Sequence, residues 1–172
     1  MEERERELKM RGEEIAEIAV NFGMGAKQLQ TIYRLVKTRP LPFVEAFIER
    51  QIGRGLRGLP AFMKIHELFK EYQNDKASLE RILMYAVMLY DYFEKRQVLE
   101  LRAIGEPIVK RAVEDRGLIY DGVSMNLRGR ELEIRVRVRN YYGPPKPLAV
   151  EIERALKSRG EFANLNLRVW ID

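Results

Sequence analysis

Eight cationic side chains fall between positions 27 and 64: Lys27, Arg34, Lys37, Arg39, Arg50, Arg54, Arg57 and Lys64. Residues 21–70 carry 9 basic and 3 acidic side chains, a surplus that exceeds the net +5 of the whole chain. Such a block suits an anionic partner, because Lys and Arg neutralise phosphates and release counterions, and Arg can clamp a phosphate with two parallel hydrogen bonds. Gly53 and Gly55 flank Arg54 and allow a polynucleotide backbone to come close to the main chain. Tyr33 and Tyr72 carry rings able to stack on bases, but their helical spacing turns them toward a core.

No other chemistry has the residues it needs. The chain has no cysteine, which removes disulfides, thiol catalysis and iron–sulfur ligation. It has one histidine, His66, which neighbours Glu67 on an amphipathic stretch and reads as a surface or boundary residue. No phosphate-binding Gly-x4-Gly-Lys-Ser/Thr loop occurs. Gly53-Arg-Gly-Leu-Arg-Gly follows a helical stretch instead of a strand, so it is no dinucleotide fingerprint. Asp121, Glu131 and Glu133 border or occupy strand patterns, where pairing with arginine is routine. We therefore expect no catalytic residue, no metal site and no cofactor.

The elements that must carry the cations are legible from periodicity and breakers. Residues 1–21 show helical spacing at Leu8, Ile15, Ile18 and Ala19, ended by Gly23 and Gly25. A second helix over 26–38 has the stripe Leu29, Ile32, Tyr33, Val36, and Pro40 and Pro42 stop it. A third covers 43–53 and a fourth 60–73, separated by glycines and Pro60. Asn74-Asp75 reads as a turn and Ser78 as the cap of a strongly apolar fifth helix over 78–97. Another helix over 99–115 leads to Gly117. Alternation then takes over: Val123, Met125 and Leu127, a turn at Gly129, and Leu132, Ile134, Val136 and Val138 make a β-hairpin. A helix opening at Pro147 and a last alternating run from Asn164 to Ile171 complete the chain. The expected fold class is α+β, with an N-terminal bundle of about five helices over residues 1–97 and a small α-β-β-α-β unit over 98–172. Arg135, Arg137 and Arg139 share one strand face, and we read this second unit as an assembly module, open to homo-oligomer formation through a free sheet edge.

The basic block is set between acidic flanks. Residues 1–20 carry 4 basic and 7 acidic groups, and residues 71–100 carry 4 and 6. The first residues are too charged for a signal peptide, and the longest near-apolar run, Ile82 to Tyr90, is far short of the roughly 20 residues a bilayer requires. The expected location is the cytoplasm, with no membrane partner.

Three segments carry a family resemblance over residues 13–96. Glu14-Ile-Ala-Glu-Ile-Ala followed by Gly23-Met-Gly-Ala-Lys-Gln-Leu-Gln-Thr-Ile-Tyr-Arg-Leu-Val-Lys, then Glu49-Arg-Gln-Ile-Gly-Arg, then Leu79-Glu-Arg-Ile-Leu-Met-Tyr-Ala-Val-Met-Leu-Tyr-Asp-Tyr-Phe, appear in that order. Together they resemble the small helical subunit of the type III-A CRISPR effector complex. The family's arginine after glutamine-leucine is Gln30 here, which passes any phosphate contact at that point to Lys27 or Arg34. The resemblance implies a non-catalytic subunit of an antiviral ribonucleoprotein that grips the ribose-phosphate backbone of guide and target RNA beside other subunits of the complex. Arg54 and Gln28 carry over from its motifs, and it implies no magnesium site. A second reading comes from Ala19, Gly23 and Leu29, whose spacing resembles a helix-turn-helix. It gives a homodimeric DNA-binding regulator, with helix 26–38 in the major groove and the C-terminal unit for dimerisation or sensing.

Overall fold

The structure is a computed structural model that describes all 172 residues. It divides into two compact units, Met1–Glu94 and Lys95–Asp172. It is an α+β protein, helical through its N-terminal part and carrying a three-stranded sheet in its C-terminal part. No helix is long and apolar enough to cross a membrane.

The first unit is built from α1 (Glu2–Asn21), α2 (Ala26–Thr38), α3 (Leu41–Gly53), α4 (Leu59–Glu71) and the first half of α5 (Lys76–Glu114). In α1, Leu8, Gly12, Ile15, Ala16, Ala19 and Val20 are buried on one stripe, and Glu2, Glu3 and Glu5 occupy the first turn, where the helix dipole favours negative charge. At Gly12 the backbone of α1 packs directly on α5: a methyl group there would lie 2.5 Å from Tyr85 Cβ and 2.8 Å from the Ile82 carbonyl oxygen. The helix ends in a Schellman turn, with Gly23 at φ 78° and the Met24 N–H donating to the Ala19 carbonyl at 2.8 Å. Beyond it, α3 and α4 each begin on a proline in the first turn, where the missing N–H costs no hydrogen bond.

The fifth and sixth helices read from the sequence are one. α5 runs unbroken from Lys76 to Glu114, through positions 97–99 where the sequence reading ends one helix and begins the next. Nothing at those positions is a breaker, and Pro107, which is, stays inside the helix. The helix also begins earlier than its residue types predict. Asp75, not Ser78, is the residue before its first turn, and the Asp75 carboxylate accepts the Ser78 N–H at 3.1 Å and the Ser78 hydroxyl at 2.7 Å. Arg4 donates to the same carboxylate at 2.7 Å, tying α1 to the start of α5.

The second unit holds the rest of α5, β1 (Ile119–Arg128), β2 (Glu131–Arg139), α6 (Pro145–Lys157), a short 3₁₀ turn (Gly160–Phe162) and β3 (Asn166–Ile171). The sheet order is β1-β2-β3, with the first pair antiparallel and the second parallel through the α6 crossover. Leu127 faces Leu132 and Val123 faces Val136 on the inner side. These residues pack with Val109, Val113, Leu148, Ile152, Leu156 and Phe162 into one buried cluster, so the helices cover that face. Gly105 of α5 admits the cluster, with Met125 and Phe162 side chains 3.0 Å from where its Cβ would be.

Two outcomes follow from this packing. Alanine at position 12 gains about 1 kcal/mol of helix propensity over glycine, yet Gly12→Ala is expected to destabilise the protein by about 1–3 kcal/mol, because the methyl overlaps backbone that must shift. Urea unfolding checks the sign. The hydrogen bonds from Ser78, then Arg4, hold the Asp75 carboxyl below its usual range. Its stabilisation is therefore present above its unfolded value, about 3.9, and is lost as pH falls through the lower folded value. Melting temperature in acid should decline less steeply in Asp75→Asn than in the parent.

Candidate nucleic-acid interface

The sequence Ala26-Lys-Gln-Leu-Gln-Thr-Ile-Tyr-Arg-Leu-Val-Lys-Thr places Leu29, Ile32 and Val36 against the core. The opposite positions, Lys27, Gln30, Arg34 and Lys37, are exposed at spacings of three and four residues. They therefore form one line along the outside of α2, about 15 Å from the Lys27 to the Lys37 Cα. No carboxylate occurs between Asn21 and Glu45 to neutralise that line.

The line continues past the helix. The Lys37 ammonium lies 5.3 Å from the Tyr33 ring centroid, and the Arg39 guanidinium 5.5 Å from that of Phe43. These ring contacts orient the cations and leave their charge uncancelled. Tyr33 is thus a half-buried prop for Lys37, in line with its helical spacing. Lys76, from the start of α5, donates to the Arg39 carbonyl at 3.0 Å and adds a cation here. No local pattern marks Lys76, because it lies 37 residues along the chain from Arg39.

Arg50, Arg54 and Arg57 lie at the end of α3 and in the turn before α4, and all three are exposed. Gly58 puts that turn beside the start of α2. It has φ 85°, and a Cβ on it would sit 2.7 Å from Met24 Cβ. The first turns of α2 and α4 are thus adjacent, neither holds an acidic residue, and both present helix N-termini. Lys27 and Arg57 belong to these neighbouring segments.

Of the eight cations, only Lys64 pairs with a carboxylate, that of Glu67 at 3.7 Å. Lys64 and Glu67 lie on α4 with His66, whose Nε2 faces Glu49 of α3 at 3.1 Å. Gln28 has local work: its Oε1 accepts the Gly25 N–H at 2.9 Å and closes the first turn of α2. Gln30 and Arg34 remain exposed on the outer line.

The sheet of the second unit presents a different balance. On its outer face Arg135 pairs with Glu133 at 2.8 Å, Arg139 with Asp121 at 2.9 Å and Arg168 with Glu131 at 3.5 Å. Arg137 lies over Gly122, whose absent side chain leaves it room. Trp170, 53% exposed, stands beside Arg135 in the register. Most arginine charge on this face is met by a neighbouring acid.

No family model, curated protein or solved structure matches the chain. If the cap is the main role of Gln28, Gln28→Ala lowers stability by about 1 kcal/mol and leaves polyanion affinity unchanged. Thermal unfolding and a heparin titration check the two halves.

Proposed function

We propose that the first unit is a non-catalytic RNA-binding subunit that holds a ribose-phosphate backbone along α2, from the Arg54–Arg57 turn past Lys27, Arg34 and Lys37 to Arg39. The observation that carries this reading is the exposed line of cations on α2 with no carboxylate paired to any of them. Exposed ion pairs contribute roughly 0–1 kcal/mol to stability, and unpaired exposed cations contribute less, so folding gives no reason to line them up. A phosphate chain does, because each neutralised phosphate releases counterions. The resemblance of residues 13–96 to the small helical subunit of the type III-A CRISPR effector complex supports the same role. There, guide and target RNA would be the ligand and other subunits of the complex the partners. The half-buried ring of Tyr33 favours backbone contact over base stacking.

The test is fluorescence anisotropy on a labelled single-stranded RNA across a salt series. The parent is expected to bind without sequence preference, with affinity falling steeply as salt rises. Arg34→Glu with Lys37→Glu should weaken binding by at least about tenfold. It should also flatten the slope of log K against log salt by about 0.7 for each phosphate that is no longer neutralised. Circular dichroism should not change. Failure of the parent to bind in dilute salt, or indifference to the reversal, overturns the proposal. Preference for one duplex DNA sequence over RNA would instead favour the helix-turn-helix regulator, whose base-reading side chains would be Gln30 and Arg34.

A further inference from the structure

We propose that Glu45, Glu49 and His66 form a binding site for one zinc-class divalent cation, bridging α3 and α4. Glu45 and Glu49 are one turn apart on α3 and so share a face. His66 approaches from α4, its Nε2 3.1 Å from Glu49 Oε1 and 3.8 Å from Glu45 Oε1. The three donor atoms all lie within 4.8 Å of one another. A tetrahedral zinc ion with bonds of about 2.0–2.2 Å sets its ligand atoms about 3.4 Å apart. The two nitrogen–oxygen distances bracket that value, so a cation enters with only small side-chain movement.

The hydrogen-bond balance points the same way. An imidazole Nε2 carries at most one hydrogen, and here two carboxylates converge on it. One of them is left without a donor from His66, and the Lys64 ammonium is paired with Glu67 instead. A divalent cation satisfies all three groups at once, since the two carboxylates balance its charge. The donor set, one imidazole nitrogen and two carboxylate oxygens, suits zinc and its first-row neighbours over magnesium or calcium, which prefer all-oxygen shells. The His66 side chain is 19% exposed, and those of Glu45 and Glu49 are 38% and 55% exposed, so the ion has a path from solvent and water can take a fourth position. The expectation of no metal site rests on the count of histidines. That count is blind to α3 and α4 converging two acids on the one histidine present.

The site is separate from the RNA-binding reading and is tested without RNA. The full chain, untagged and stripped with chelator, is titrated calorimetrically with zinc chloride. One zinc ion per chain is expected, with magnesium chloride giving no heat of binding. The chain has one histidine and no cysteine, so no other imidazole or thiolate can replace His66 as a ligand. His66→Ala should therefore lower zinc affinity by at least about tenfold, as should Glu45→Gln with Glu49→Gln, which keeps shape and removes charge. Glu67→Gln should bind as the parent does. Cobalt(II) supplies an independent readout: the parent should show the strong visible absorption of a four-coordinate ion and the double glutamine variant should not. A parent that takes up no zinc, or a folded His66→Ala or double glutamine variant that binds it as tightly, overturns the proposal.

Discussion

The first unit depends on the junction at Met24. This side chain is fully buried where the turn after α1 meets the turn before α4. Its N–H closes α1 on the Ala19 carbonyl, and its own carbonyl accepts the buried Tyr90 hydroxyl of α5 at 2.8 Å. Burial, with Glu94 and Asp91 nearby, pushes that hydroxyl well above its ordinary pKa, so Tyr90 keeps its proton and remains a donor. Gly58 meets Met24 so closely that no side chain fits between them. One residue thus relates α1, α2, α4 and α5, and it decides that the arginine turn at 54–57 begins where the cationic line of α2 begins.

The two units treat positive charge in opposite ways, and the difference starts in the primary structure. In β2 and its neighbours, acids and arginines share the outward-facing alternate positions, so Arg135, Arg139 and Arg168 each come within reach of a carboxylate, along a strand or across a pairing. In α2 there are no acids to offer, and the adjoining segments supply none to its outer line. Such a surface is tolerated because solvent screens exposed charges over about 10 Å. It gains energy only when a polyanion displaces the surrounding ions. The acids that follow, Glu45 and Glu49, are turned toward His66 instead of toward the arginines. α3 therefore turns both its acids to His66, while the turn that follows it carries unpaired arginines.

Much of the fold is readable from residue order alone. The breaks at Gly23, Pro40 and Gly58 separate the helices of the bundle, and the alternation from Val123 to Val138 marks the hairpin. The helix break expected between positions 97 and 99 does not occur, because only a breaker or an alternative partner for the backbone ends a helix and neither is present there; the boundary between the two units falls within α5, at Glu94–Lys95. Ser78 has the residue type of a cap, while Asp75, three residues earlier, holds the geometry. Gln28 is singled out by the family resemblance alone, yet its oxygen serves the backbone of Gly25.

The outer line of α2 is decided by the order of residues, because helical backbone geometry alone determines which side chains point together. The absence of acids from Asn21 to Glu45 leaves that line uncompensated whatever the packing. The meeting of Met24 with Gly58, of Lys76 with Arg39, and of two glutamates with His66 is decided only by tertiary structure. Each joins segments too far apart for any periodicity to couple, and the burial of the core selects the pairing. The chain order specifies the direction of each side chain within its helix, and packing specifies which helices those side chains confront.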